Sequence, residues 1–449
     1  MNQQIFREYD IRGLEDRDLT EDVVINIGKA FGTIIGANKT VAVGCDIRLS
    51  SPRIKKTIIE GIASTGVNVM DIGVVPTPLV YFAVHRYNTD GGIMITGSHN
   101  PIGYNGFKML KGKKTIYGEA IQSLKEIIIN KKYNVGTGGI KISDVISGYM
   151  DTVLKSLSIE KTMKVVIDPG NGTAGPIVTS LLSNIGVDFI CLNCKPDGHF
   201  PAHLPDPTVP EYMNELIEKV KSSKADIGIG FDGDSDRIGV IDEKGNMVYG
   251  DRLLGVFAKD VLKNMPGSTI IYDVKCSRGL EEAIIKFGGK PLMWKTGHSL
   301  IKAKMENVSS PLAGEMSGHM FFAYEYFGYD DAIYAAMKLL KILSAENKPF
   351  SEIHNEIPQY FSTPEIRIDC PDERKFIVVK ELTDYFSEKY KTVTIDGVRI
   401  EFDDGWGLIR ASNTQPVIVL RFEAVNENSL RDIKSIVYNK LKEYPYINV

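Results

Sequence analysis

One pattern occurs three times in this chain and leaves few folds open to it. A short apolar strand runs into an aspartate and a turn, and a helix follows. The copies are Val41-Ala42-Val43-Gly44-Cys45-Asp46, Val165-Val166-Ile167-Asp168 and Ile270-Ile271-Tyr272-Asp273. Continuous apolar runs of this length suit strands covered on both faces, as in a parallel sheet. Start signals mark the helices. Ser51 and Pro52 open one, with Ile54, Ile58 and Ile62 on a single face; Pro176 opens another, with Gly186 just past its end. Strand–helix alternation of this kind builds α/β units.

A second strand follows in each copy and runs into a polar loop. Ile93-Met94-Ile95 leads to Thr96-Gly97-Ser98-His99-Asn100-Pro101. Ile227-Gly228-Ile229 leads to Asp232-Gly233-Asp234-Ser235-Asp236-Arg237, and Pro311-Leu312-Ala313 to Gly314-Glu315-Met316-Ser317-Gly318-His319. Open α/β sheets bind ligands beyond the carboxyl ends of their strands, so three loops of a threefold repeat are placed to face one ligand. From about residue 366 the pattern changes to short strands, such as Val393-Thr394-Ile395 and Val417 to Phe422. A last helix follows, with Leu430, Ile433, Val437 and Leu441 at helical spacing. The expected class is α/β: three similar α/β domains with mixed, mostly parallel sheets plus a smaller C-terminal α+β domain, around a central cleft. The expected divisions are 1–150, 151–250, 251–365 and 366–449. A length of 449 residues suits three or four domains.

Composition excludes some partners. The net charge is −4 with no long block of one sign, which points away from nucleic acid and anionic membranes. No run approaches the roughly 20 apolar residues of a membrane helix, and the polar start, Met1 to Asp10, does not read as a signal peptide. Five cysteines fit a reducing cytoplasm. Cys191, Cys194, His199 and His203 have zinc-ligand chemistry, but their spacing is too short for a zinc finger, and Pro196 and Pro201 make the segment a plain loop.

The chemistry lies in the polar loops. Asp232, Asp234 and Asp236 alternate along a glycine-containing turn. Three such carboxylates repel one another unless a cation sits among them, and hard oxygen ligands suit Mg²⁺ or Ca²⁺. An EF-hand fails here, because Arg237 stands where that loop needs Gly and strands rather than helices flank it. A solvated acidic turn is the bland alternative. Ser98 beside His99 invites a hydrolase reading, but no serine has a G-x-S-x-G setting. A serine with a remote acidic metal site suits phosphoryl chemistry instead. Lys108 is either a solvated lysine or, beside other cations, a base of lowered pKa. Arg410-Ala411-Ser412-Asn413-Thr414 reads equally as a phosphate cradle or a polar turn. Gly314 to His319 carries donors and acceptors that suit sugar hydroxyls.

Taken together these loops resemble the α-D-phosphohexomutase family over essentially the whole chain, with the phosphomannomutase/phosphoglucomutase branch nearest. The likeness rests on Phe6 to Gly13, the Ser98 loop, Asn105 to Lys108, Asp232 to Arg237, Lys275, Thr296-Gly297-His298, Glu315 to His319, and Arg410 to Thr414. It implies a phosphorylated Ser98. Asp232, Asp234, Asp236 and a Ser98 phosphate oxygen would hold Mg²⁺. Arg12 and Lys108 would act in proton transfer or charge stabilisation. Arg237, Glu315, Ser317 and His319 would contact the sugar, Lys275 and His298 would be substrate contacts from the third domain, and Tyr9 one from the first. Arg410, Ser412, Asn413 and Thr414 would hold the phosphate that does not react.

The resemblance implies reversible exchange of hexose 6-phosphate and hexose 1-phosphate through a hexose 1,6-bisphosphate, with the fourth domain as a lid. The glucosamine branch typically has Gln where this chain has Met316 and Gly where it has Asn413, so both positions favour mannose and glucose phosphates. Gly97, where many relatives carry Ala, removes no chemical group. The rival readings are a phosphoglucosamine mutase, a non-catalytic sugar-phosphate-binding relative and a serine-independent Mg²⁺ phosphatase.

Overall fold

A computed structural model of the chain describes residues 1–413 and 415–447. The threefold repeat is visible in its sheets. In the first, strand Thr40–Cys45 lies between Asn68–Val74 and Gly91–Ile95, both parallel to it, and Tyr104–Lys111 returns antiparallel beside Gly91–Ile95. In the second, Lys164–Asp168 lies between parallel neighbours Asp188–Cys191 and Ile227–Phe231, and Ile238–Asp242 returns antiparallel. In the third, Thr269–Asp273 takes the central place between Lys290–Trp294 and Leu312–Gly314, and Met320–Phe322 returns. The parallel strands match the sequence reading. The antiparallel return strand makes each sheet mixed, as expected, and makes each polar loop a connection between two paired strands.

The expected helix starts hold. Helix Ser51–Ala63 has Pro52 in its first turn and buries Ile54, Ile58 and Ile62 completely. Helix Gly175–Asn184 begins beside Pro176. In the last part, antiparallel strands Val398–Phe402, Gly405–Ala411 and Val417–Ala424 carry helices Lys375–Ser387 and Glu427–Leu441. The final helix buries Ile433, Val437 and Leu441 in that sheet's own core, and Leu430 packs at its margin.

The cores differ in extent. One continuous apolar cluster joins the three repeats, from Phe82 and Tyr149 through Val165 and Ile229 to Leu254, Ile270 and Tyr334. The C-terminal sheet has a separate core around Val378, Leu382, Ile409 and Leu420. Its seam with the third repeat holds a small cluster of Val274, Trp406 and Leu408. There the buried Arg399 guanidinium lies 3.8 Å over the Trp406 ring and donates to the carbonyls of Val274 and Cys276 at 3.0 and 2.9 Å.

Cys191 and Cys194 are joined as a disulfide at the end of strand Asp188–Cys191, a pairing the sequence reading did not make. Cys45, Cys276 and Cys370 are buried thiols. The zinc alternative gains nothing: His203 pairs with Asp168 at 3.0 Å, and His199 with Asp197 at 2.9 Å. No described helix is long and apolar enough to cross a membrane.

Candidate active site

Ser98 stands on a tightly held loop. Its backbone is left-handed (φ 49°), and its N–H donates to Thr96 Oγ1 at 2.8 Å. Asp46 accepts from the Thr96 hydroxyl at 2.8 Å and from Gly97 N at 3.0 Å. Arg48, 1% exposed, supplies the rest. Its guanidinium donates to the carbonyls of Ser98 (2.8 Å), Asn100 (2.5 Å), Pro101 (2.7 Å), Ile102 (3.1 Å) and Tyr104 (2.9 Å). A Cβ on Gly97 would come within 2.3 Å of Arg48 Nε and 2.6 Å of the Tyr104 carbonyl. Gly97 is therefore more than a permissive residue: its missing side chain makes room for the arginine that shapes the loop. Neither Asp46 nor Arg48 was singled out in the sequence as a site residue, although Asp46 ends the first repeat's strand.

The loop delivers the Ser98 hydroxyl to Asp232, whose Oδ2 accepts from Ser98 Oγ at 2.7 Å. Asp232, Asp234 and Asp236 are all fully buried, and each offers a carboxylate oxygen within 4.8 Å of the others. Asp232 Oδ1 accepts from the backbone N–H groups of Asp236 and Arg237 at 3.0 and 3.1 Å. Thr77 donates to Asp234 Oδ2 at 2.6 Å, reaching in from the first repeat. Asp234 Oδ1 is buried without a hydrogen-bond partner, and Asp236 Oδ1 faces the His319 imidazole at 3.3 Å. Burial and the two neighbouring carboxylates push the Asp232 carboxyl well above the usual carboxylate range. Burial opposes ionisation at Asp236 too, but Lys108 and His319 hold it low. Converging hard oxygens, one of them unpartnered, fit a divalent cation. Those flanking segments are strands, as the rejection of an EF-hand required.

Lys108 reaches the same carboxylates. It lies opposite Met94 on the return strand, and its Nζ is bonded to both Asp234 Oδ2 and Asp236 Oδ2. Its neighbours are carboxylates rather than cations. Burial pulls its pKa down, but Asp234, Asp236 and Asp232 raise it overall, which favours its ammonium form. Arg12 lies on the adjacent strand opposite Gly106 and pairs with Asp10 at 2.6 Å.

The third repeat faces this cluster. His319 sits between two carboxylates, with Nε2 3.3 Å from Asp236 and Nδ1 2.8 Å from Glu315. Burial opposes its charge, but the carboxylates raise its pKa to about 9. Ser317 Oγ is 3.1 Å from His319 Nδ1, and Arg237 Nε reaches His319 Nε2 at 3.4 Å. Glu315 Oε1 accepts from Gly297 N at 2.6 Å. The loop Thr296-Gly297-His298 then bridges to a second polar group. Tyr9 Oη donates to the Thr296 carbonyl at 2.8 Å, and Asp396 accepts from Thr296 N at 3.0 Å and from Arg410 Nε at 3.1 Å. Asn413 Nδ2 donates to Tyr9 Oη, so the C-terminal sheet touches the first repeat across the cleft. Ser412 is buried beside them, and its Oγ accepts from Gln415 N at 3.1 Å. Lys275 is held by Glu365 at 3.2 Å and Asp273 at 3.7 Å. Thr414 lies outside the described residues. Asp396 and Glu365 were missed in the sequence, where isolated acidic residues carry no signal. A cavity of about 860 Å³ lies behind this region, lined in part by Tyr81, Lys113, Lys302 and Phe327; it includes neither Ser98 nor the three aspartates.

Comparison with known proteins agrees with this arrangement. Family models for phosphoglucomutase/phosphomannomutase match in order: alpha/beta/alpha domain I over residues 3–134, domain II over 147–245, domain III over 249–361 and the C-terminal domain over 365–440. A phosphomannomutase/phosphoglucomutase from Pseudomonas aeruginosa is 46% identical, covering 98% of this chain and 95% of its own. The crystal structure of a phosphoglucomutase/phosphomannomutase family protein from Burkholderia thailandensis superposes with a TM-score of 0.92 at 41% identity, covering 99% of this chain and 98% of that one. At 15% identity and a TM-score of 0.61, the Aspergillus fumigatus N-acetylphosphoglucosamine mutase, solved with GlcNAc-6P and magnesium, shares the fold over 96% of this chain and 95% of its own. With four domain matches in order and near-complete relatives, the chain belongs to the phosphoglucomutase/phosphomannomutase family of α-D-phosphohexomutases.

Proposed function

We propose that this chain is a magnesium-dependent phosphomannomutase/phosphoglucomutase that moves phosphate between C6 and C1 of a hexose through a phosphoserine at Ser98. The observation that carries the reading is the 2.7 Å approach of Ser98 Oγ to the buried cluster of Asp232, Asp234 and Asp236, whose carboxylate oxygens converge within 4.8 Å. Family membership and the named relatives support it. The domain divisions 1–150, 151–250, 251–365 and 366–449 are our assignment on the same basis, as is a cytoplasmic setting where hexose phosphates are handled.

Asp232, Asp234 and Asp236, with a phosphoserine oxygen, would hold the Mg²⁺. When bound, the ion neutralises charge on the transferred phosphoryl group. The chain's own groups do the rest. The phosphoserine P–O bond breaks as the sugar hydroxyl oxygen bonds to phosphorus, giving a hexose 1,6-bisphosphate and the Ser98 hydroxyl. After the bisphosphate turns over in the cleft, the other phosphate returns to Ser98. We assign Lys108 and Arg12 to charge stabilisation, because Lys108 lies among carboxylates as a cation. Glu315, Ser317, His319 and Arg237 line the sugar side with acceptors and donors. Arg410, with Ser412, Asn413, Thr414, Tyr9, Lys275 and His298, takes the phosphate that does not react. Both ends of the intermediate carry phosphate, so one cradle serves both sugar orientations.

The test is intact mass and turnover together. Incubation with glucose 1,6-bisphosphate should add one phosphoryl group to the wild type and none to Ser98→Ala, which should also lose nearly all conversion of mannose 1-phosphate and glucose 1-phosphate. A Ser98→Ala protein that turns over normally rules the phosphoserine out. Faster turnover of glucosamine phosphate than of either hexose phosphate would move the chain to the glucosamine branch.

A further inference from the structure

His298 opens the helix His298–Val308, and Lys302 follows one turn later on the same face. Lys302 Nζ lies 3.2 Å from His298 Nδ1. The same ammonium donates to Asp330 Oδ1 at 2.7 Å and rests 4.1 Å from the centre of the Tyr81 ring. Asp330 is fully buried, and its other oxygen, Oδ2, has no hydrogen-bond partner although it stands 3.6 Å from the same His298 nitrogen. Two groups of opposite character therefore compete for Nδ1. An ammonium can only donate, and a carboxylate can only accept. Lys302 is the nearer.

We propose that Lys302 is a positioning residue that fixes the tautomer of His298, keeping the ring neutral with its proton on Nε2, so that His298 meets a sugar-phosphate oxygen as a hydrogen-bond donor. This deepens, and rests on, the reading of the cleft as a hexose-phosphate site. With Nδ1 accepting from Lys302, the single ring proton sits on the nitrogen that Lys302 does not reach. Without Lys302, the unpartnered Asp330 oxygen would draw a proton to Nδ1. The ring would then offer an acceptor at Nε2, which repels a phosphate oxygen, or become an imidazolium. The charged and titratable groups around the ring are Lys302 on its own helix, Asp330 before helix Ala332–Ala345, His319 stacked at 5.9 Å, Lys108 on the return strand and Asp236. Burial, Lys302 and Lys108 act together against a charged His298. Burial pulls the Lys302 pKa below the ordinary lysine value, and the ion pair with Asp330 opposes that pull without reversing it.

The test is ¹⁵N–¹H correlation spectroscopy of histidine-labelled full-length protein. The chain has 7 histidines, and His298 is assigned by its absence in His298→Phe. At neutral pH the wild type should show the Nε2–H tautomer at His298. Lys302→Met should convert it to Nδ1–H or to the doubly protonated ring, and Lys302→Arg should restore the wild-type pattern. Asp330→Asn, which removes the rival and leaves Lys302, should keep Nε2–H, so the claim stays testable if Lys302→Met folds poorly. In kinetics, Lys302→Met should raise KM for glucose 1-phosphate about ten-fold or more, as expected for one lost hydrogen bond to a charged group, with Lys302→Arg much closer to wild type. A wild-type His298 that is Nδ1–H or charged at neutral pH, or an Nε2–H tautomer that persists in folded Lys302→Met, overturns the assignment. A wild type with the expected tautomer but no mutase turnover would instead sink the functional reading and leave Lys302 in its role.

Discussion

Arg48 offers the sharpest test of how the Ser98 loop is built. Its guanidinium bonds five carbonyls of that loop, those of residues 98, 100, 101, 102 and 104. A hydrogen bond from a charged donor contributes roughly 1.5–3 kcal/mol. Five would sum to about 7–15 kcal/mol, which overstates the loss, because one guanidinium is desolvated once and an emptied loop takes up water. Removing one partner of a buried charged network costs roughly 3–5 kcal/mol, and that is the figure expected for Arg48→Met. It is a large part of the roughly 5–15 kcal/mol available to a native domain. Arg48→Lys separates charge from shape. An ammonium has three donors on one atom and no planar fork, so it cannot reach carbonyls spread from Ser98 to Tyr104. We expect Arg48→Lys to recover the charge and little of the function. The assay is the rate of Ser98 phosphorylation by glucose 1,6-bisphosphate, read by intact mass, beside hydrogen exchange of residues 96–104. Both variants should phosphorylate at least about a hundred-fold more slowly, as loss of a pre-set geometry commonly brings, with faster exchange confined first to that loop. If Arg48→Lys phosphorylates like wild type, charge alone suffices and the fork has no part in shaping the loop.

Gly97→Ala should act through the same seat: its Cβ would displace the Arg48 guanidinium, and mutase turnover should fall although no polar group is removed. Chelation should abolish turnover and Mg²⁺ restore it, while Ca²⁺ should occupy the site and support turnover poorly, because its larger and looser shell misplaces the phosphate; full activity in excess chelator rejects the aspartate site. Arg410→Ala should raise KM strongly, and Arg410→Lys less so, since the planar fork matters as well as the charge; unchanged steady-state constants in both would remove the fourth domain as the phosphate clamp. Lys275 holds the Glu365 carboxyl down to about 2. The stability from that depressed pKa is fully present above the unfolded value of 4.5 and is lost as pH falls through about 2. The stability gap between wild type and Glu365→Gln, on the order of 3 kcal/mol at most at neutral pH, should therefore shrink below about pH 4.5 in denaturant titrations and not between pH 6 and 8.

Much of this protein could be read without coordinates. The strand runs at Val41, Val165 and Ile270, the helix faces at Ile54 and Ile433, and the alternating aspartates from 232 to 236 are local patterns. Their meaning depends on periodicity and on residues a few positions apart, so one dimension carries it. The position of Ser98 at the end of a buried strand was legible for the same reason.

What only the tertiary structure decided is which polar groups meet. Arg48 acts on carbonyls about 50 residues away, Thr77 on Asp234 from 157 residues away, and Asp396 on Thr296 from 100 residues away. Lys108 shows the consequence most clearly. Its sequence neighbours left base and bystander both open, and its character was set by two carboxylates brought from another repeat. Hydrophobic burial follows from each segment's own composition. The charge state and hydrogen-bonding role of a buried polar side chain follow from whatever the fold places within about 3 Å of it, and no local pattern records that.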